Sequence, residues 1–134
     1  MSEYTIVNLK EVEDQAPNFG LSPQFEARFA RVALEAELVG LTYQKLAPNL
    51  RVPWGHTHKT QEEVFVVLDG SLRVKVGDDV HELKPWDAIR IHKDTMRGFE
   101  AGPDGAELLA IGCPGGPGDA EVEQGWWADG ESSA

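Results

Sequence analysis

An all-β sandwich or barrel is the fold class that this 134-residue sequence predicts. Three observations carry the prediction. Short segments of alternating or β-branched side chains recur between residues 26 and 113. Pro, Gly, Asn and Asp punctuate the intervals between them. The length suits one domain around one core.

The elements follow in order. Residues 1–25 are polar and acidic and include "APNFGLSP", which reads as an extended N-terminal arm. "FEARFARVALEAEL" is ambiguous, because its Ala, Leu and Glu favour helix while Phe25, Ala27, Phe29, Arg31 and Ala33 alternate. A strand from Glu26 to Leu34 is expected. "LTYQKLA" alternates, with Leu41, Tyr43 and Lys45 opposite Thr42, Gln44 and Leu46. "EVFVVLDG" is β-branched and aromatic and closes on an Asp-Gly turn signal. "SLRVKVG" alternates strictly, "DD" marks the next turn, and "VHEL", "DAIRIH" and "AELLAIGC" are further short strands. The barrel is therefore expected over residues 26–113. Residues 114–134 form a C-terminal loop and tail, with Trp126 and Trp127 docked.

Composition excludes several roles. Twenty-three acids against twelve Lys and Arg give a formal charge of -11, so nucleic acid and anionic membranes are not expected partners. The longest apolar run, Val64 to Leu68, is too short to span a bilayer. The N-terminus lacks a basic start and a signal-peptide core, and Cys113 has no second cysteine to pair with. A cytoplasmic location is expected.

The chemistry concentrates in "HTHKTQEE". On a strand His56 and His58 point the same way. A reversal around Lys59 to Gln61 brings Glu63 back to their side, with Phe65 and Val67 inward and Glu62 outward. Two neutral imidazoles and a carboxylate suit a divalent first-row metal with positions open for water or substrate. The competing reading is a chance cluster on an exposed loop. No base partners the serines, and no glycine-rich phosphate loop precedes a helix.

The spacing His56, His58, Glu63, Gly70 resembles the first motif of the cupin superfamily, with Leu50 where that motif opens on glycine. "PWDAIRIHKDTMRGFEAG" is similar to the second motif in register. Pro85, Asp87 and Ile91 keep their places, while Trp86, His92, Asp94, Arg97 and Ala101 replace the usual Gly, Pro, Gly, His and Asn. The whole chain is similar to short single-domain bacterial cupins of unassigned activity. The resemblance implies a double-stranded β-helix, or jelly-roll, barrel with these residues in its cavity. It also implies a homodimer, with "FEARFARVAL" placed for strand exchange.

Typical metal-binding cupins supply three His and one Glu, and the third His falls at Arg97. A guanidinium is no metal ligand. Either Arg97 pairs with Glu63 in a metal-free cavity, or it stands aside and leaves a set of two His and one carboxylate. His81 and His92 are the possible substitutes. Three functions remain open. The first is an enzyme, dioxygenase- or isomerase-like, using Fe, Mn, Zn or Ni at His56, His58 and Glu63. The second is a metal-free binding module, and the third a structural barrel. For a small-molecule ligand, a carboxylate among the candidates, the expected contacts are Arg97, Gln44 and Tyr43. The catalytic residues are not assigned.

Overall fold

The computed structural model describes residues 3–113, 115 and 118–127. Eight strands form: β1 (Phe25–Phe29), β2 (Gly40–Leu46), β3 (Trp54–His58), β4 (Glu63–Val76), β5 (Asp79–Leu83), β6 (Ala88–Ile91), β7 (Arg97–Gly112) and β8 (Ala120–Gln124). All of their pairings are antiparallel.

The long strands β4 and β7 organise the molecule. They pair from Glu63↔Gly112 to Val76↔Arg97, with register shifts between Val67 and Asp69 and between Gly70 and Leu72. On one side of the shifts they are flanked by β6 and by β2, which carries β1. On the other side they are flanked by β5 and by β3, which carries β8. One strand pair thus runs through two arrays, which is the jelly-roll arrangement. Phe25, Ala27, Leu46, Phe65, Val67, Leu72, Val74, Ile91, Phe99, Ala101 and Leu108 form one core drawn from both arrays. Each large side chain in it contributes about 1.5–3 kcal/mol by leaving water.

Three local expectations change. The strand expected from Glu26 to Leu34 ends at Phe29. Leu34 and Ala36 donate their N–H groups to the carbonyls of Ala30 and Arg31, so the Ala- and Leu-rich half turns helically. The Asp69-Gly70 pair does not end a hairpin, since β4 continues through it to Val76. Its place is an irregularity in the pairing with β7, and Gly70 supplies the φ of +75° required there. β8 is a strand where a loop and tail were expected, and it closes on β3 from Trp54↔Gln124 to His58↔Ala120. Its "AEVEQ" does alternate in sequence, but over five residues with only Ala120 and Val122 as apolar members, and all five are exposed, so the signal is weak.

The N-terminal arm contains two 3-10 turns and bridges to β1 through Asp14↔Arg28. The Asp14 carboxylate accepts from the N–H groups of Ala16 and Ala27, both at 2.9 Å, and so covers the free edge of β1. The Trp pair is docked as expected. Trp127 is buried beneath Arg51, and Trp126 lies against Gly55 and Gly98 with Lys75 over its ring. Cys113 is exposed. Residues 128–134 of the tail, and 114, 116 and 117 of the preceding loop, lie outside the described residues. Among the described residues no helix is long and apolar enough to cross a membrane.

Candidate metal centre

Strand alternation sets His56 and His58 on one face of β3, their rings edge-on with centroids 5.0 Å apart. Residues 59–62 reverse the chain. Glu63 then opens β4 on the inner side with Phe65 and Val67 behind it, while Glu62 points outward to Arg90. The spacing in the sequence therefore converts into a cluster. One ligand atom from each of His56, His58 and Glu63 lies within 4.8 Å of the others. Glu63 Oε1 is 3.0 Å from His58 Nε2 and 3.4 Å from His56 Nε2.

Charge and burial compete here. Burial works against the charged form of Glu63, but the hydrogen-bond contact with His56 and the closeness and charge of both histidines outweigh it and hold the pKa down to about 2. Burial likewise opposes protonation of His58. The carboxylates of Glu63 and Asp119 outweigh it, and the imidazole pKa is raised. Although His58 Nε2 is near Glu63, it is not aligned for a hydrogen bond and has no such partner among the described residues. A buried ring nitrogen without a partner, facing a second imidazole and a carboxylate, is the donor set a divalent transition metal takes up. The cluster can therefore coordinate such an ion.

The cluster opens on a cavity of about 780 Å³. Phe25, Trp54, Phe65 and Phe99 give it an apolar wall, and Thr42, Gln44 and Gln61 add polar groups. Of the three ligand contacts expected from sequence, only Gln44 lies on this wall. Tyr43, its neighbour on β2, faces the other side, where its hydroxyl donates to the Glu107 carboxylate. Alternation permits only one of the pair to face the cavity, and here it is Gln44. Arg97, expected as an anion contact, is engaged within the protein. It is fully buried and sits opposite His56 in the β3–β7 register. Its guanidinium is drawn onto main-chain carbonyls: Nη2 donates to His92 at 3.1 Å and Ile91 at 3.3 Å, and Nη1 to His56 at 3.5 Å. It makes no ion pair with Glu63 among the described residues and does not line the cavity. Burial lowers its pKa, partly offset by the charge of Glu63. The candidate substitutes His81 and His92 are exposed, and His92 faces Asp94 on a turn.

Sequence reasoning missed Asp119. It accepts from Thr60 through Oδ1, at 3.0 Å from the N–H and 2.6 Å from the hydroxyl, while Oδ2 lies 3.0 Å from His58 Nδ1. No local pattern marks it, because it is 61 residues from the histidine it meets.

Residues 42–112 match the cupin domain family, and the chain belongs to it. Among solved structures it is similar to a cupin protein from Bacteroides fragilis, with 21% identity, a TM-score of 0.69, and coverage of 87% of this chain and 89% of that one. It is similar to the polyketide cyclase RemF from Streptomyces resistomycificus, with 22% identity, a TM-score of 0.71, and coverage of 92% and 85%. It is also similar to oxalate decarboxylase from Bacillus subtilis, with 19% identity, a TM-score of 0.71, and coverage of 87% of this chain and 32% of that one. These likenesses establish the fold alone. No curated protein matches the sequence.

Proposed function

We propose that this cupin binds a divalent transition metal through His56, His58 and Glu63 and uses it to hold a small molecule in the adjoining cavity. One observation carries the reading: three ligand atoms converge within 4.8 Å, and a buried nitrogen among them lacks a hydrogen-bond partner. A bound ion would supply Lewis acidity and open positions for oxygen donors. The protein's own part is to orient the ligand. Gln44 offers an amide from β2, while Phe25, Trp54 and Phe99 exclude water around an apolar body. Two of the structural relatives are an oxalate decarboxylase and a polyketide cyclase, and oxygen-bearing ligands, carboxylates included, suit both names. A homodimer formed in the cytoplasm belongs to the same proposal.

A second reading has its own support. The 3.0 and 3.4 Å approaches of Glu63 to the histidines satisfy the carboxylate without an ion, as a metal-free binding barrel would require. Elemental analysis of tag-free protein separates the two. About one equivalent of Fe, Mn, Zn or Ni is expected, and it should be lost in both His56→Ala and Glu63→Ala, because a set of three ligands has no redundancy. Metal retained in both variants would place it elsewhere, and none in the parent after incubation with each ion would favour the metal-free barrel.

A further inference from the structure

His58 Nδ1 faces two groups that demand opposite tautomers. Asp119 Oδ2 stands 3.0 Å away and Gln61 Nε2 3.3 Å away. A carboxylate only accepts, so Asp119 requires the ring proton on Nδ1. An amide NH2 only donates, so Gln61 requires Nδ1 bare and the proton on Nε2. The neutral ring has one proton to place, and its position decides the chemistry of the cluster. With Nδ1–H, the Nε2 lone pair faces Glu63 and His56, and the Glu63 carboxylate 3.0 Å away, an acceptor only, opposes this tautomer until a metal takes up the lone pair. With Nε2–H, a hydrogen occupies the direction in which a metal would sit.

We propose that Asp119, just before β8, selects the metal-binding tautomer of His58 against Gln61 at Nδ1 and Glu63 at Nε2, which makes this carboxylate a control element of the site. The inference rests on the metal reading above. Three observations favour Asp119 over Gln61. Its contact is shorter and charge-assisted. Its carboxylate is held for the task, since two bonds from Thr60 occupy Oδ1 and leave Oδ2 to the ring. Its backbone is held as well, because the Lys59 N–H donates to the Asp119 carbonyl at 2.9 Å. Gly115 completes the cradle, since a side chain there would run into Asp119. Outer partners of this kind orient a metal-ligating imidazole and raise its basicity. Asp119 is thus a positioning residue, acting through His58.

The test uses zinc(II) alone, with affinity measured by chelator competition. Asp119→Ala should weaken binding by roughly 10- to 100-fold. Asp119→Ala with Gln61→Leu should recover a large part of the loss, since the opposing donor is gone. A role limited to stapling the segment predicts no such recovery, and predicts that Thr60→Val weakens zinc as much as Asp119→Ala does. Nitrogen-15 NMR of the metal-free protein, followed up in pH until the His58 ring has lost its second proton, provides an independent readout. Asp119→Ala should move the His58 proton from Nδ1 towards Nε2 relative to the parent, because the pull of Glu63 is then unopposed. Should Asp119→Ala not fold, Asp119→Asn serves, because its amide donates as well as accepts and so removes the bias. Unchanged zinc affinity in the variant, or a His58 proton that does not move on removing Asp119, would overturn the inference. If the parent binds no zinc, the metal reading fails, while the NMR spectra still decide the tautomer.

Discussion

Arg97 shows how a buried charge is accommodated one residue at a time. A guanidinium taken out of water is costly unless its donors are used. Here the fork gathers the carbonyls of Ile91, His92 and His56, which come from the end of β6, the turn after it and β3. A single side chain therefore ties the strand bearing the histidines to the turn that approaches β7. Arg97→Met should cost about 2–4 kcal/mol, because it takes a charge-assisted donor from the carbonyls of Ile91 and His56, while that of His92 keeps the Thr95 N–H. Arg97→Lys should cost nearly as much, since one ammonium cannot reproduce the planar fork. Urea denaturation checks both. A loss below about 0.5 kcal/mol in Arg97→Met would show that water replaces the fork at no expense.

At the scale of elements, the decisive feature is the passage of β4 and β7 from one array to the other. Val67, on one side of the irregularity, and Leu72, on the other, are both fully buried in the one core. Gly70 makes the passage possible in two ways. Its φ of +75° is a left-handed conformation that costs other residues roughly 1–2 kcal/mol, and a methyl group there would also run into the Gly105 carbonyl. Gly77 also has positive φ, but open space surrounds it. Gly70→Ala should therefore lower the melting temperature clearly more than Gly77→Ala, by roughly 5–10 °C against a few degrees. Equal losses would mean that only backbone strain matters at Gly70 and that the strands can separate there freely. A similar close approach backs the site, where a Cβ on Gly55 would come within 2.6 Å of Trp126. The residue beside His56 is thus seated against the C-terminal Trp pair.

For the whole molecule, the open question is how its exposed apolar surface is managed. Val32, Leu38 and Val39, around the turn after β1, and Phe29 at its start are all exposed. The arm already covers the edge of β1 within the same chain, so exchange of that strand is not required to satisfy its hydrogen bonds. We place the proposed homodimer contact on these apolar residues. Light scattering at micromolar concentration should give twice the mass of one chain, and Val32→Asp with Leu38→Asp should return it to one. A parent with the mass of one chain would end the dimer proposal without touching the metal centre, whose residues all come from a single copy.

What the sequence determined by itself is what short-range geometry controls. Alternation along "SLRVKVG" and "LTYQKLA" prescribes strands whatever they pack against, and strands of this length and number define the fold class. The trio His56, His58 and Glu63 was legible for the same reason. Two histidines two apart share a strand face, and four residues suffice to turn the chain and return a carboxylate beside them. Only the tertiary structure decided the rest. It put Gln44 and not Tyr43 on the cavity wall, because the side of β2 that faces inward depends on β1 and β7. It turned Asp69-Gly70 from a hairpin signal into a bend, because β7 runs alongside. It brought Asp119 to His58 and drew Arg97 onto main-chain carbonyls. A charged side chain carries no local information about its partner, which is settled by whichever distant segment reaches it when the strands close.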